Sequence, residues 1–234
     1  MTGRRFLLGA VLFGSAVALG CGHPEEDSCN IKTAGIYVEY EVAEQGAQAT
    51  AKATFWVGDD SGGTYLTLGQ CGDQIQVNGK ALDKKAGNPE YYESALASAD
   101  GYEFVFTRVD EDPYPSSVAP PADVSISAPA ADASISRADP FDITWDKDGS
   151  GEIKLLVEGD CIASYPKPLG DEIADTGSYT VNAGDIEPFV ESDKDKTCSA
   201  TITLTREKAG SLHQSLKGTM KATTTASRGF ESKP

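Results

Sequence analysis

Asp146, Asp148, Ser150 and Glu152 occupy alternate positions of the stretch Asp146-Lys-Asp148-Gly-Ser150-Gly-Glu152-Ile153. Calcium is a hard cation that takes about six to eight oxygens, and alternate residues of a tight loop can supply several of them. Here the donors would be the carboxylates of Asp146 and Asp148, the Ser150 hydroxyl and the Glu152 carbonyl, with Gly151 at the turn. The same residues also suit a polar, glycine-rich hairpin turn between Phe141-Asp-Ile-Thr-Trp145 and Ile153-Lys-Leu-Leu-Val157, because Asp, Ser and Gly favour turn geometry. The turn is the preferred reading, with calcium as the alternative and no other cofactor expected.

Cysteine chemistry comes next. Cys29, Cys71, Cys161 and Cys198 show none of the short Cys/His spacings of a tetrahedral zinc site. An even set points to disulfides if the chain is exported, as the N-terminal residues below suggest. Three pairings are open, and one bridge per half is favoured because two cysteines lie in each half. Acid–base and nucleophilic chemistry is poorly provided for. The histidines are His23 and His213, so a hydrolase triad would need His213, which has no nucleophile-elbow partner motif. The 36 acidic residues leave a carboxylate-dependent hydrolase as a third reading, without pointing to any pair. There is no G-x-x-x-x-G-K-[ST] loop and no dinucleotide fingerprint, so the chain is expected not to be an enzyme.

The elements that must carry these residues alternate with a period of two. Ile36, Val38, Tyr40 and Val42 share one face, and Ala49, Ala51, Ala53, Phe55 and Val57 repeat the pattern. Asn78-Gly79 between Val77 and Leu82 marks a two-residue hairpin, and Tyr102, Phe104 and Phe106 form an aromatic strand. Residues 124–126, 141–145, 153–157, 179–181 and 200–204 read as strands in the second half. The segment from Asn88-Pro89 through Tyr91-Tyr-Glu-Ser-Ala-Leu-Ala97 suits either a capped short helix or an edge strand. Trp56 and Tyr37 alternate away from the apolar face. They could bind a sugar or protein partner, although packing is favoured.

Residues 110–121 combine charge, four prolines and small residues, the composition of a stiff linker. The expected organisation is therefore a signal peptide (1–20), a polar tether (21–30), an N-terminal β domain (31–109), the linker (110–121) and a C-terminal sandwich (122–234). The fold class is all-β, with two small antiparallel β-sandwiches.

Arg4 and Arg5 followed by the apolar run Phe6 to Leu19 form the n- and h-regions of an export signal. The run is shorter than the roughly 20 residues that span a bilayer. Its removal deletes two arginines and no acid, taking the formal charge from −16 to −18. Such a surface repels nucleic-acid phosphates, so no nucleic-acid partner is expected.

Ala18-Leu19-Gly20-Cys21 resembles a bacterial lipobox, with Ala18 where that family usually has Leu. The resemblance implies cleavage before Cys21, acylation of that cysteine (palmitate among the chains) and attachment to the cell envelope. Gly22 resembles the residue that permits outer-membrane sorting. Arg4-Arg5 with Phe6-Leu7-Leu8 also resembles a twin-arginine signal, so the export route stays open. Residues 146–153 resemble the first eight positions of an EF-hand loop, but position 12 would be Val157 rather than a bidentate glutamate. Residues 122–227 resemble a fibronectin type III or immunoglobulin-like domain through Phe141-Asp-Ile-Thr-Trp145. The order of SISRADPFDITW, DTGSYTV, CSATITLTR and SRGFESKP resembles predicted myxobacterial lipoproteins of unknown function. Together these imply a membrane-anchored, non-catalytic binding or structural module with a protein or glycan partner. A calcium-stabilised adhesion or carbohydrate-binding module is the alternative.

Overall fold

The computed structural model describes residues 24–58, 64–69, 71–87, 89–148, 151–165 and 171–234. The expected signal peptide, Cys21, Ser150 and most of the Gly58–Gly63 turn lie outside the described residues. The rest is built from strands, as period-two patterning dictates: a strand points successive side chains to opposite faces.

In the first half, β1 (Glu25–Asp27) is followed by β2 (Ile36–Gln45) and β3 (Gln48–Val57). These two form a ten-residue antiparallel ladder across the Gly46-Ala47 turn, where Gly46 takes a φ of +60°. Then come β4 (Tyr65–Thr67), β5 (Gln74–Val77), β6 (Lys80–Ala81), β7 (Asp83–Lys85), β8 (Tyr91–Ala97) and β9 (Tyr102–Thr107). The Asn78-Gly79 hairpin is present, with both residues at positive φ as a tight turn of matching twist requires. The ambiguous 91–97 segment is a strand, paired between β3 and β7.

The linker expectation is corrected. Tyr114–Val118 is a strand, β10, antiparallel to β9, and it buries Ser116 and Val118. Its proline composition is compatible with this because β10 is the outer strand of the sheet β10-β9-β5-β6, where a missing N–H is tolerated.

The second half contains β11 (Ile126–Ala128), β12 (Ser134–Ser136), β13 (Phe141–Trp145), β14 (Glu152–Gly159), β15 (Ile162–Tyr165), β16 (Asp171–Ala174), β17 (Ser178–Val181), β18 (Cys198–Ala209) and β19 (Lys217–Lys233). Strands β11, β13 and β17 form one small sheet, while β14, β15, β16 and β18 extend the large one. The all-β expectation of two small sandwiches holds. One core packs Tyr40, Phe55, Phe104 and Phe106 between sheets, with Tyr40 stacked on Phe104 at 4.8 Å. The other packs Ile143, Trp145, Leu155, Val157, Ile202 and Leu204.

The expected boundary at 122 is also corrected. β19 is 17 residues long and runs through both sandwiches. Residues 217–224 pair in parallel with β2, and residues 221–232 pair antiparallel with β18. Leu216, Met220 and Ala222 consequently belong to the first core, whereas Phe230 belongs to the second. The two modules share one continuous twelve-stranded sheet instead of hanging from a linker. Each contains its own disulfide, Cys29–Cys71 and Cys161–Cys198.

Candidate functional site

The loop singled out by its oxygens connects β13 of the small sheet to β14 of the large one. Its base is an ion pair. Trp145 ends β13 with its ring in the core and donates Nε1–H to Asp175 Oδ1 at 2.7 Å. Arg206, at the inward register of β18 after Ile202 and Leu204, donates Nε–H to Asp175 Oδ2 at 2.8 Å. Both charged groups are buried. Burial alone would raise the Asp175 pKa, but hydrogen bonds from Arg206 and Trp145 outweigh it and hold the carboxyl below its usual 3.8. The remaining Arg206 donors reach the carbonyls of Ala122, Asp123 and Asp146. One guanidinium thus ties the start of the second module, the loop and the β16–β17 connection to β18.

Three of the loop's four proposed donors, Asp146, Asp148 and Glu152, lie among the described residues. Asp146 accepts the Ser125 N–H through Oδ1 and donates its own N–H to the Ser125 carbonyl, which ties the loop entrance to the chain leading into β11. Asp148 is exposed, and its backbone N–H points to Asp175 at 3.5 Å. Glu152 opens β14 opposite Ala174, on the outer face beside Lys154, Glu172 and Glu207. Among the described residues, the close grouping of three potential metal-ligating side chains is Asp27 with Cys29 and Cys71, whose sulfurs are joined in a disulfide.

The other candidates separate. His213 rests edge-on against Tyr114 at 5.2 Å and accepts the Ser215 N–H through Nδ1, so that nitrogen is engaged in a turn. Tyr114 in turn donates to Glu111, which also accepts from Thr33. Trp56 is buried against Tyr65, with ring centres 4.3 Å apart, and so serves packing. Asp27, Ser28 and Cys29 do not form a free tether: Glu25–Asp27 pairs in parallel with β4, and the Pro24 carbonyl accepts the Tyr65 N–H.

Sequence reading missed the buried arginines. Arg108 donates to Asp73 Oδ2 at 3.1 Å, to Thr33 Oγ1 and to the Ser28 carbonyl, clamping the N-terminal segment beside the first disulfide. Arg137 reaches Ser232, the carbonyls of Lys194 and Lys196, and Cys161 Sγ at 3.7 Å beside the second. The signal was available. Arg108 follows Phe104 and Phe106 at the inward parity, and Glu44 follows Tyr40 and Val42 in the same way. Period two continued past the last apolar residue would have placed these charges inside.

No protein-family profile and no curated protein matches the chain. Among solved structures it is similar to the Clostridium thermocellum CbhA fibronectin(III)-like modules at 13% identity, over 85% of this chain and 93% of that one, with a TM-score of 0.22. A score that low adds nothing to the fold, which stands on the sheets and cores above.

Proposed function

We propose that the protein is an exported, lipid-anchored envelope module that binds or braces a partner and performs no catalysis. The observation that carries this reading is how soon after Cys21 the described fold begins. Cys21 precedes by three residues the first backbone contact among the described residues, Pro24 to Tyr65, so acyl chains there would hold the first sandwich close to a bilayer. Each buried methylene contributes about 0.8 kcal/mol, so more than one chain on Cys21 gives stable attachment. The paired disulfides suit an oxidising compartment.

The shared strand gives such an anchor a purpose. Tyr65, Trp56, Tyr37 and Lys217 lie in one hydrogen-bonded row, whereas Cys198 pairs with Ser232 at the other end of β19. Fifteen residues at ~3.3 Å each separate these ends by about 50 Å. The second sandwich therefore stands away from the N-terminal end as a stiff extension of the first.

Metabolic labelling with an alkyne fatty acid tests the anchor. The wild-type chain is expected to carry label on the Cys21 peptide and to sediment with membranes. Cys21→Ala should lose both properties. An unlabelled wild-type chain, released as a soluble protein, would end the proposal.

A further inference from the structure

We infer that Phe189 and Val190 form the docking ridge of the second sandwich, for a protein whose apolar pocket is rimmed by lysine and arginine. This rests on the binding-module reading above and names its contact surface. Phe189 is 69% exposed and Val190 48%, and among the described residues the other exposed large apolar side chain, Val109, stands apart from them. Single exposed apolar residues are ordinary, but an adjacent pair held in a fixed conformation is a different matter.

The ridge is held from both sides. Phe189 donates its N–H to the Cys161 carbonyl at 3.1 Å, Ala163 donates to Glu187, and the Val190 carbonyl accepts from Asp193. Pro188 lies opposite Ile162 in a bridge at the outer edge of β15, and Ile186 is buried in the core beneath. The Cys161–Cys198 disulfide joins this edge to β18. A Phe side chain presented by a backbone already ordered loses little entropy on binding.

Charge selects the occupant. Asp160, Glu191 and Asp195 are exposed around the ridge, with Lys194 in opposition, while Asp193 is paired to Lys196 at 2.6 Å. From Asp185 to Asp195 the chain carries five acids and one lysine. A second copy would bring two acidic rims together, and anionic headgroups would be repelled in the same way. A basic-rimmed protein pocket gains from both the apolar tip and the rim. Phe189 is hydrogen-bonded to Cys161, which is joined to Cys198 at the end of β19 remote from the Lys217–Tyr37 pairing, so the ridge would be distant from a membrane that holds Cys21.

Photo-crosslinking in the cells that make the protein tests this, with p-benzoylphenylalanine replacing Phe189 or, as control, Ser227 on the outer sheet face. A discrete protein adduct is expected from position 189 and not from 227, joined through a peptide containing apolar and basic residues. Glu191→Lys/Asp195→Lys should reduce its yield at least tenfold while circular dichroism and the unfolding temperature stay unchanged. An adduct to lipid or to a second copy, one unaffected by charge reversal, or none at all would overturn the docking ridge. Acyl label on Cys21 is read in the same preparation, so loss of the anchor and loss of the ridge are distinguishable.

Discussion

Gly218 approaches Val38 so closely that a Cβ built on it would stand 1.8 Å from the Val38 carbonyl oxygen. The two residues pair in the parallel ladder of β19 with β2, the seam that joins the modules. Gly218 also has a φ of +137°, which side-chain-bearing residues rarely adopt.

Gly218→Ala should therefore lower unfolding free energy by about 3 kcal/mol or more, through overpacking and backbone strain together. Gly46→Ala is the comparison, since Gly46 has a φ of +60° with nothing within 4 Å of the added carbon. It should cost only ~1–2 kcal/mol. Urea unfolding curves measure both, and equal losses would show that close approach at the seam has no special weight.

The Arg206–Asp175 pair is a buried one, so removing a single partner leaves an uncompensated charge. Arg206→Met should cost about 3–5 kcal/mol, and Asp175→Asn/Arg206→Met distinctly less. The pH dependence follows from the direction of the Asp175 shift. Because its folded pKa lies below 3.8, its contribution is fully present above about pH 4 and disappears as pH falls through the lowered value. Stability measured from pH 6 down to pH 2 should fall less steeply in Asp175→Asn. An unchanged acid limb would mean that Asp175 is not the charge that matters.

Tyr102 donates to the buried carboxylate of Glu44, which also accepts from Ser98. Burial, followed by the hydrogen bond to Glu44, pushes the Tyr102 pKa from 10.0 up to about 12. A phenol raised in this way stabilises the fold fully below pH 10, and the contribution is lost as pH rises towards 12. Tyr40 and Tyr165 are also raised by burial, so absorbance titration at 295 nm should show several late-ionising tyrosines, with one fewer in Tyr102→Phe. That variant should also lose about 1–3 kcal/mol by leaving Glu44 short of a donor. Ionisation of every tyrosine near pH 10 in the folded protein would contradict the network.

For the 146–152 loop, the bond from Ser125 to Asp146 gives the turn reading a measurable consequence. Asp146→Ala should cost about 1 kcal/mol, independently of calcium or chelator. A calcium-dependent rise in unfolding temperature that vanishes in Asp146→Ala/Asp148→Ala would establish the metal site instead.

Much of the local structure was legible in residue order. Alternation located β2, β3, β9, β13, β14 and β18, and Asn78-Gly79 located its hairpin, because side-chain direction and turn conformation are properties of a few consecutive residues. Two cysteines in each half suggested the bridges that form. The same alternation carried Arg206 and Arg108 inward, yet their partners Asp175 and Asp73 lie more than thirty residues away and nothing local identifies them. The proline-rich segment misled because an edge strand and a stiff linker accept the same composition.

Taken alone, the chain determined its strands, turns and acidity, all of which depend on short-range chemistry. Tertiary structure decided which strands are neighbours. Backbone N–H and C=O groups are alike at every residue, so pairing is chosen by what fits: a glycine against Val38, apolar Leu216 and Met220 in the first core, Phe230 in the second. That choice sent one strand through both sandwiches and joined the two expected domains by one continuous sheet, with β1 and the Cys161–Cys198 disulfide beside its opposite ends.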